Sequence, residues 1–194
     1  MFRATTAYVE RLREEGYDLW TISLWEQWIA LQPQLDQAID KIRTAFEGVI
    51  LGPGIGLTEA DAMEFNRTRD GLDAERLRDE KDNWQNISVE MLNACQVGMF
   101  FMDPVGFRFH FPAFLIADLN DQLELPCGMV DQLIQKNPSR TKWISLLDAQ
   151  QRNAIISVLD VVQNCPEYYD KSNAFQRAIN RFSDQTPNCG ITNG

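Results

Sequence analysis

His110 is the only histidine in this 194-residue chain, so any mechanism that sets an imidazole base beside a serine or cysteine nucleophile must run through it. Asp103 and the acids between Asp118 and Glu124 are the carboxylates that could assist it. In an alternating run Arg108 shares its side, and a neighbouring cation disfavours protonation of the ring, leaving a neutral base. The plainer reading is a lone histidine that packs or faces water. A second candidate is the glycine stretch Gly52-Pro53-Gly54-Ile55-Gly56, ahead of a helix that Thr58 would cap with Asp61 three residues on. Backbone N–H groups at such a helix start favour anions. Yet Leu57 stands where G-x-G-x-x-G requires its third glycine, no Lys-Ser or Lys-Thr follows, and acids fill the first turn. A loop that ends one helix and begins the next accounts for it better. Paired carboxylates are plentiful, but Asp79, Glu80 and Asp82 lie among Arg76, Arg78 and Lys81, the pattern of a salt-bridged surface helix over residues 72–82. Cys95, Cys127, Cys165 and Cys189 form no C-x-x-C pair, and reduced thiols are expected. No metal site, no cofactor and no catalytic residue are assigned, and the chain reads as a non-enzyme.

The elements that must carry these residues read as mainly α, a single-domain helical bundle with one small β-hairpin at about residues 98–111. Asp103-Pro104 followed by Gly106 suits a type I turn, and Phe107, Phe109 and Phe111 alternate with Arg108 and His110 as in a strand with one apolar face. Pro112 then fits the first position of a helix, where its missing N–H is harmless. Asp103, Gly106, Arg108 and Pro112 are therefore structural residues, Arg108 pairing with an acid of the Thr58 or Arg76 helices. Ahead of this, residues 1–33 form a Trp-rich helical segment closed by Pro33. Leu35, Ile39, Ile42, Phe46 and Val49 mark one face of an amphipathic helix. Asp70-Gly71 reads as a turn, and Ser88 caps a short helix. Further helices are expected over 129–136, from Asp148 with Gln151 as its capping-box partner, and from Ser172 to about Phe182. Residues 34–183 form the helical domain, and the polar residues 184–194 a flexible tail.

Of the net charge of −10, nine units fall between residues 58 and 131. An acidic middle argues against nucleic-acid backbone binding and suits a partner with a basic surface. No apolar run approaches the roughly 20 residues that span a bilayer, and the N-terminus lacks the pattern of a secretory leader, so a cytoplasmic protein without membrane contact is expected.

The run Phe101-Met102-Asp103-Pro104-Val105-Gly106-Phe107-Arg108-Phe109-His110-Phe111-Pro112-Ala113-Phe114 resembles the central signature of an uncharacterised family of small bacterial proteins. The likeness extends upstream to Ile42–Phe46 and Gly54–Leu57 and downstream to Leu147–Gln151, covering roughly residues 38–182. It brings no reaction and no catalytic residues. Small acidic proteins of this kind are similar, by class alone, to immunity proteins that neutralise bacterial toxins. On that analogy the chain is expected to occlude a basic, nucleotide- or nucleic-acid-handling active site of a cognate toxin acting in the cytosol. Its contact residues would be Glu59, Asp61, Glu64, Asp73, Asp118, Asp121 and Glu124, with Trp84 as an aromatic anchor. An enzyme using His110, and a structural subunit docking through the N-terminal helix, remain the alternatives.

Overall fold

The structure, a computed structural model, describes residues 2–65, 68–124, 128–135 and 138–183. Its helices are α1 (Thr6–Glu14), α2 (Leu19–Ala45), α3 (Leu57–Glu64), α4 (Arg69–Arg76), α5 (Val89–Ala94), α6 (Pro104–Leu119), α7 (Met129–Ile134), α8 (Ala149–Val162) and α9 (Ser172–Ser183), with 3-10 turns between several of them. α2 lies along α8, and α8 along α9, while α6 runs through the middle and touches α2, α5 and α7. Of the face that periodicity marks, Leu35, Ile39 and Ile42 are buried on α2 and Phe46 at its C-cap, while Val49 lies beyond the helix and is partly buried; α8 buries Ile155, Val158, Leu159 and Val162, and α9 Phe175, Ala178 and Phe182. Asp148 and Gln151 form the expected capping box, and Ser88 accepts from the Met91 N–H to cap α5.

No strand occurs among the described residues, and the expected hairpin is a helix. Asp103 is its N-cap, taking the Gly106 N–H at 2.8 Å, and Pro104 is its first residue. The first turn of a helix has nearly the backbone geometry of a type I turn, so Asp-Pro-x-Gly serves both. Burial decides between them. α6 is apolar on every side, from Phe109 and Phe111 to Phe114, Leu115 and Leu119. A segment enclosed in helices, with no strand to pair with, must satisfy its backbone groups internally. Pro112 consequently sits inside the helix, not at its start. Arg108 meets no acid among the described residues: its Nε donates to Gln151 Oε1 at 3.3 Å, tying α6 to α8.

Pro33 likewise lies within α2, so the Trp-rich segment and the Leu35 face are one continuous 27-residue helix. Trp25 and Trp28 enter the core, the Trp28 indole donating to Phe2 O at 2.9 Å, whereas Trp20 stays at the surface, edge-on to Tyr169. The N-terminus is held from the far side of the chain. Asp121 accepts the Phe2 and Arg3 N–H groups, and Arg3 reaches Asn120 and Asp36.

The glycine loop has a structural role. A Cβ on Gly54 would lie 2.6 Å from Gly106 N, and one on Gly106 would fall onto the Ile55 carbonyl oxygen. Two backbones thus cross here at a separation only glycine allows. Asp103 Oδ1 also accepts the Ile55 N–H at 2.9 Å, and Arg76 clamps the loop through Gly54 O, Gly52 O and Glu59. The Gly54–Leu57 stretch and the central signature are therefore two sides of one contact. α3 begins after Gly56 and not at Thr58, which is buried within the helix and donates its hydroxyl to Glu75 O. Asp70-Gly71 lies inside α4, capped by Thr68, and that helix stops at Arg76.

Glycine cannot cap with a side chain, and a distant aspartate does so instead, twice. Asp79 accepts from Thr58 N at 2.7 Å and from Glu59 N at the start of α3, and a Cβ on Gly56 would overlap its carboxylate. Asp118 accepts from Val130 N at the start of α7, where a Cβ on Gly128 would meet it at 2.7 Å. Asp79 is thus no surface-helix residue. With Asp79 occupying the α3 terminus, no room is left there for an anion.

Candidate functional site

Two of the openings among the described residues carry groups that could act on another molecule. The first surrounds His110, 1% exposed on the second turn of α6. Its Nδ1 lies 2.8 Å from Gly106 O. A carbonyl only accepts, so Nδ1 carries the proton and Nε2 presents its lone pair. Burial pulls the imidazole down to about 4, so the ring is neutral at physiological pH; the Gly106 contact acts the other way and is weaker. The ring borders a cavity of about 320 Å3, together with Thr58, Arg78, Asp79, Glu80, Asn86 and Ser88, floored by Leu57, Ile87 and Met91. The acids that share this space are Asp79 and Glu80; the Asp79 carboxyl is raised above the ordinary value chiefly by burial, with the bonds from Thr58 and Glu59 opposing. Asp103 is spent as the α6 cap, and Asp118 and Asp121 as cap and clamp. Nothing in the spacing of residues 79 and 110 announces their meeting; the glycine at the α3 N-cap, which calls for an outside carboxylate, is the one sequence sign.

The second place is a surface. Phe100 is 58% exposed at the end of the 3-10 turn Gln96–Phe100, which packs against α3. Beside it opens a cavity of about 300 Å3 lined by Met99, Met102, Phe107 and Trp143 together with Asp103, Pro104 and Lys142. Phe101 is partly exposed next to it, and α3 is followed directly by Phe65, 65% exposed.

The expected contact residues divide between the two ends of α6, which spans about 24 Å. Glu59, Asp61 and Glu64 are on α3 and Asp73 on α4, near its N-terminal end. Asp118, Asp121 and Glu124 are at its C-terminal end. They do not form one face. Glu59 is engaged by Arg76 at 2.6 Å, while Glu64 and Asp73 are exposed. Trp84 is buried, 3% exposed, with its indole donating to Phe46 O at 2.8 Å; it belongs to the core and is not available as an anchor. Much of the acidic middle is thus internal fastening.

Cys95 and Cys165 are buried thiols outside any disulfide, raised by that burial to about 11 and about 12, which leaves them protonated and unreactive. Cys127 and Cys189, like residues 184–194, lie outside the described residues. Among the described residues no group of three or more His, Cys, Asp and Glu side chains could hold a metal ion, and no helix is long and apolar enough to cross a membrane.

The model of a family of unknown function, DUF6714, matches residues 34–185. The chain belongs to DUF6714. The match takes in every residue of the Gly54–Gly106 crossing, its Asp103 and Arg76 fasteners and the His110 cavity, and starts one residue after Pro33, inside α2. Comparison with curated proteins and with solved structures returned no match. Membership in DUF6714 therefore carries no reaction and no partner.

Two buried groups in this DUF6714 chain set opposed pH dependences. Asp118, pushed up to about 6 by burial, keeps in the folded state a proton that the unfolded chain has lost, so its contribution falls as pH rises from about 4 to 6. His110, depressed to about 4, excludes a proton that the unfolded chain binds, so its contribution rises over about pH 4 to 6.5. The two oppose each other, and Asp79, raised by burial, adds to the Asp118 side. Asp118→Asn should therefore lose more stability than wild type on acidification from pH 7 to 4.5. Calorimetric melts of the two across that range decide it; parallel profiles would refute the opposition.

Proposed function

We propose that this chain is a binding protein that neutralises a partner with a basic surface, as an immunity protein neutralises a cognate toxin acting in the cytosol. The observation that carries the reading is the exposed Phe100 beside an open cavity of methionine and aromatic side chains, on the acidic part of the chain. Soluble proteins seldom leave such a combination uncovered, and aromatic anchors next to an adaptable methionine-lined recess are the usual centre of an interface. Exposed acids on the neighbouring elements, Glu64 and Asp73, supply the potential that would steer a basic partner. Electrostatic attraction of this kind weakens with salt. Affinity for the partner should drop at least about tenfold between low and high salt, and Glu64→Lys with Asp73→Lys should slow association. An affinity indifferent to salt would remove the electrostatic part of the reading.

A second reading, an enzyme acting through His110, is favoured by its neutral imidazole facing a polar cavity shared with Asp79. It requires purified protein to consume a small metabolite steadily, and His110→Gln to abolish that turnover.

A further inference from the structure

The lining of the His110 cavity is uneven in hydrogen-bonding capacity. Most of its polar atoms are used inside the protein: the Thr58 hydroxyl goes to Glu75 O, the Thr58 N–H to Asp79 Oδ1, an Arg78 Nη to Glu75 at 2.7 Å, Ser88 Oγ takes the Met91 N–H, and the Glu80 carboxylate takes three backbone N–H groups and the Asn86 amide. Two acceptors are left over. His110 Nε2 has no hydrogen-bond partner among the described residues, yet it is not one of the sealed, unsatisfied polar atoms of the interior, so the cavity is where it is reached. Asp79 Oδ2 has only a 3.4 Å contact from Glu59 N. Leaving such groups unmatched is unfavourable, and a ligand that brings N–H donors relieves it.

We propose that this cavity binds a small primary amine in its ammonium form, held between His110 Nε2 and the Asp79 carboxylate. A neutral imidazole accepts an N–H without repelling the charge. Asp79 and Glu80 outweigh Arg78, whose guanidinium is neutralised by Glu75. Leu57, Ile87 and Met91 offer a wall for a short methylene chain. A volume of about 320 Å3 is at the lower end for small-molecule sites, which selects a ligand of few heavy atoms. The inference stands apart from the partner-protein reading, because this cavity and the Met99–Trp143 recess share no lining residue.

Because His110 is the only histidine, its ring nitrogens can be followed in a long-range proton–nitrogen NMR spectrum without assignment. The free protein should show the Nδ1–H tautomer, with a non-protonated Nε2 that shifts saturably as n-butylammonium is added. The n-butyltrimethylammonium ion, equally charged but without N–H donors, should leave it in place at the same ionic strength. Asp79→Asn, which keeps an oxygen for the Thr58 N–H, should weaken the butylammonium response by about tenfold or more. An Nε2–H tautomer, an Nε2 signal indifferent to butylammonium, or an equal response to both ions would each overturn the proposal, and none of the three needs a variant.

Discussion

Gly106→Ala should unfold this protein or lower its stability by about 4 kcal/mol or more, although on helix propensity alone alanine would add about 1 kcal/mol. The sign follows from what the new methyl would meet. It falls on the Ile55 carbonyl oxygen and close to the Asp103 carboxylate, both belonging to the crossing of the glycine loop over α6. Backbone cannot swing aside as a long side chain can, so relief requires the loop to lift. Lifting it breaks the Asp103–Ile55 bond and the Arg76 clamp on Gly52 and Gly54 and exposes α3's packing. Urea denaturation measures the effect directly; a variant as stable as wild type would show that the crossing is looser than described.

Trp84→Ala should cost about 3–5 kcal/mol, the range for emptying a buried aromatic site. Its ring is enclosed and its indole N–H satisfies Phe46 O. Trp84→Phe should retain most of the packing but remove one of the two bonds to Phe46 O, the Val49 N–H remaining, for about 1 kcal/mol. An interface anchor would behave in the opposite way, with normal melting and lost partner affinity. Thermal melts of the two variants beside wild type separate these outcomes.

Helices that bury one face are legible in the sequence because their periodicity is a direct record of burial. Spacing alone groups Leu35, Ile39 and Ile42, and these are buried together. α6 is not legible in this way, because an element enclosed on all sides carries no face to read, and five alternating residues match a strand by accident. Asp103 and Gly106 stand out in the sequence as structural, but for a turn joining two strands, when their work is to cap a helix and admit a crossing loop. Pro33 and Pro112 read as boundaries, yet long helices with packing on several sides absorb them. The candidate sites are the least legible part. His110 draws notice by being alone, whereas its acid, Asp79, lies 31 positions earlier in a run that has the pattern of a solvated helix. Net charge is likewise a poor guide to surface potential, since Asp79, Asp103, Asp118 and Asp121 each hold backbone N–H groups inside the fold.

Co-expression with the proposed cognate toxin tests the central claim most directly, by counting surviving cells. Wild type should restore growth, and Phe100→Asp, once shown to melt as wild type does, should abolish the rescue. Death of cells carrying the wild-type chain, or survival undiminished by the Phe100 variant, would contradict neutralisation through this surface.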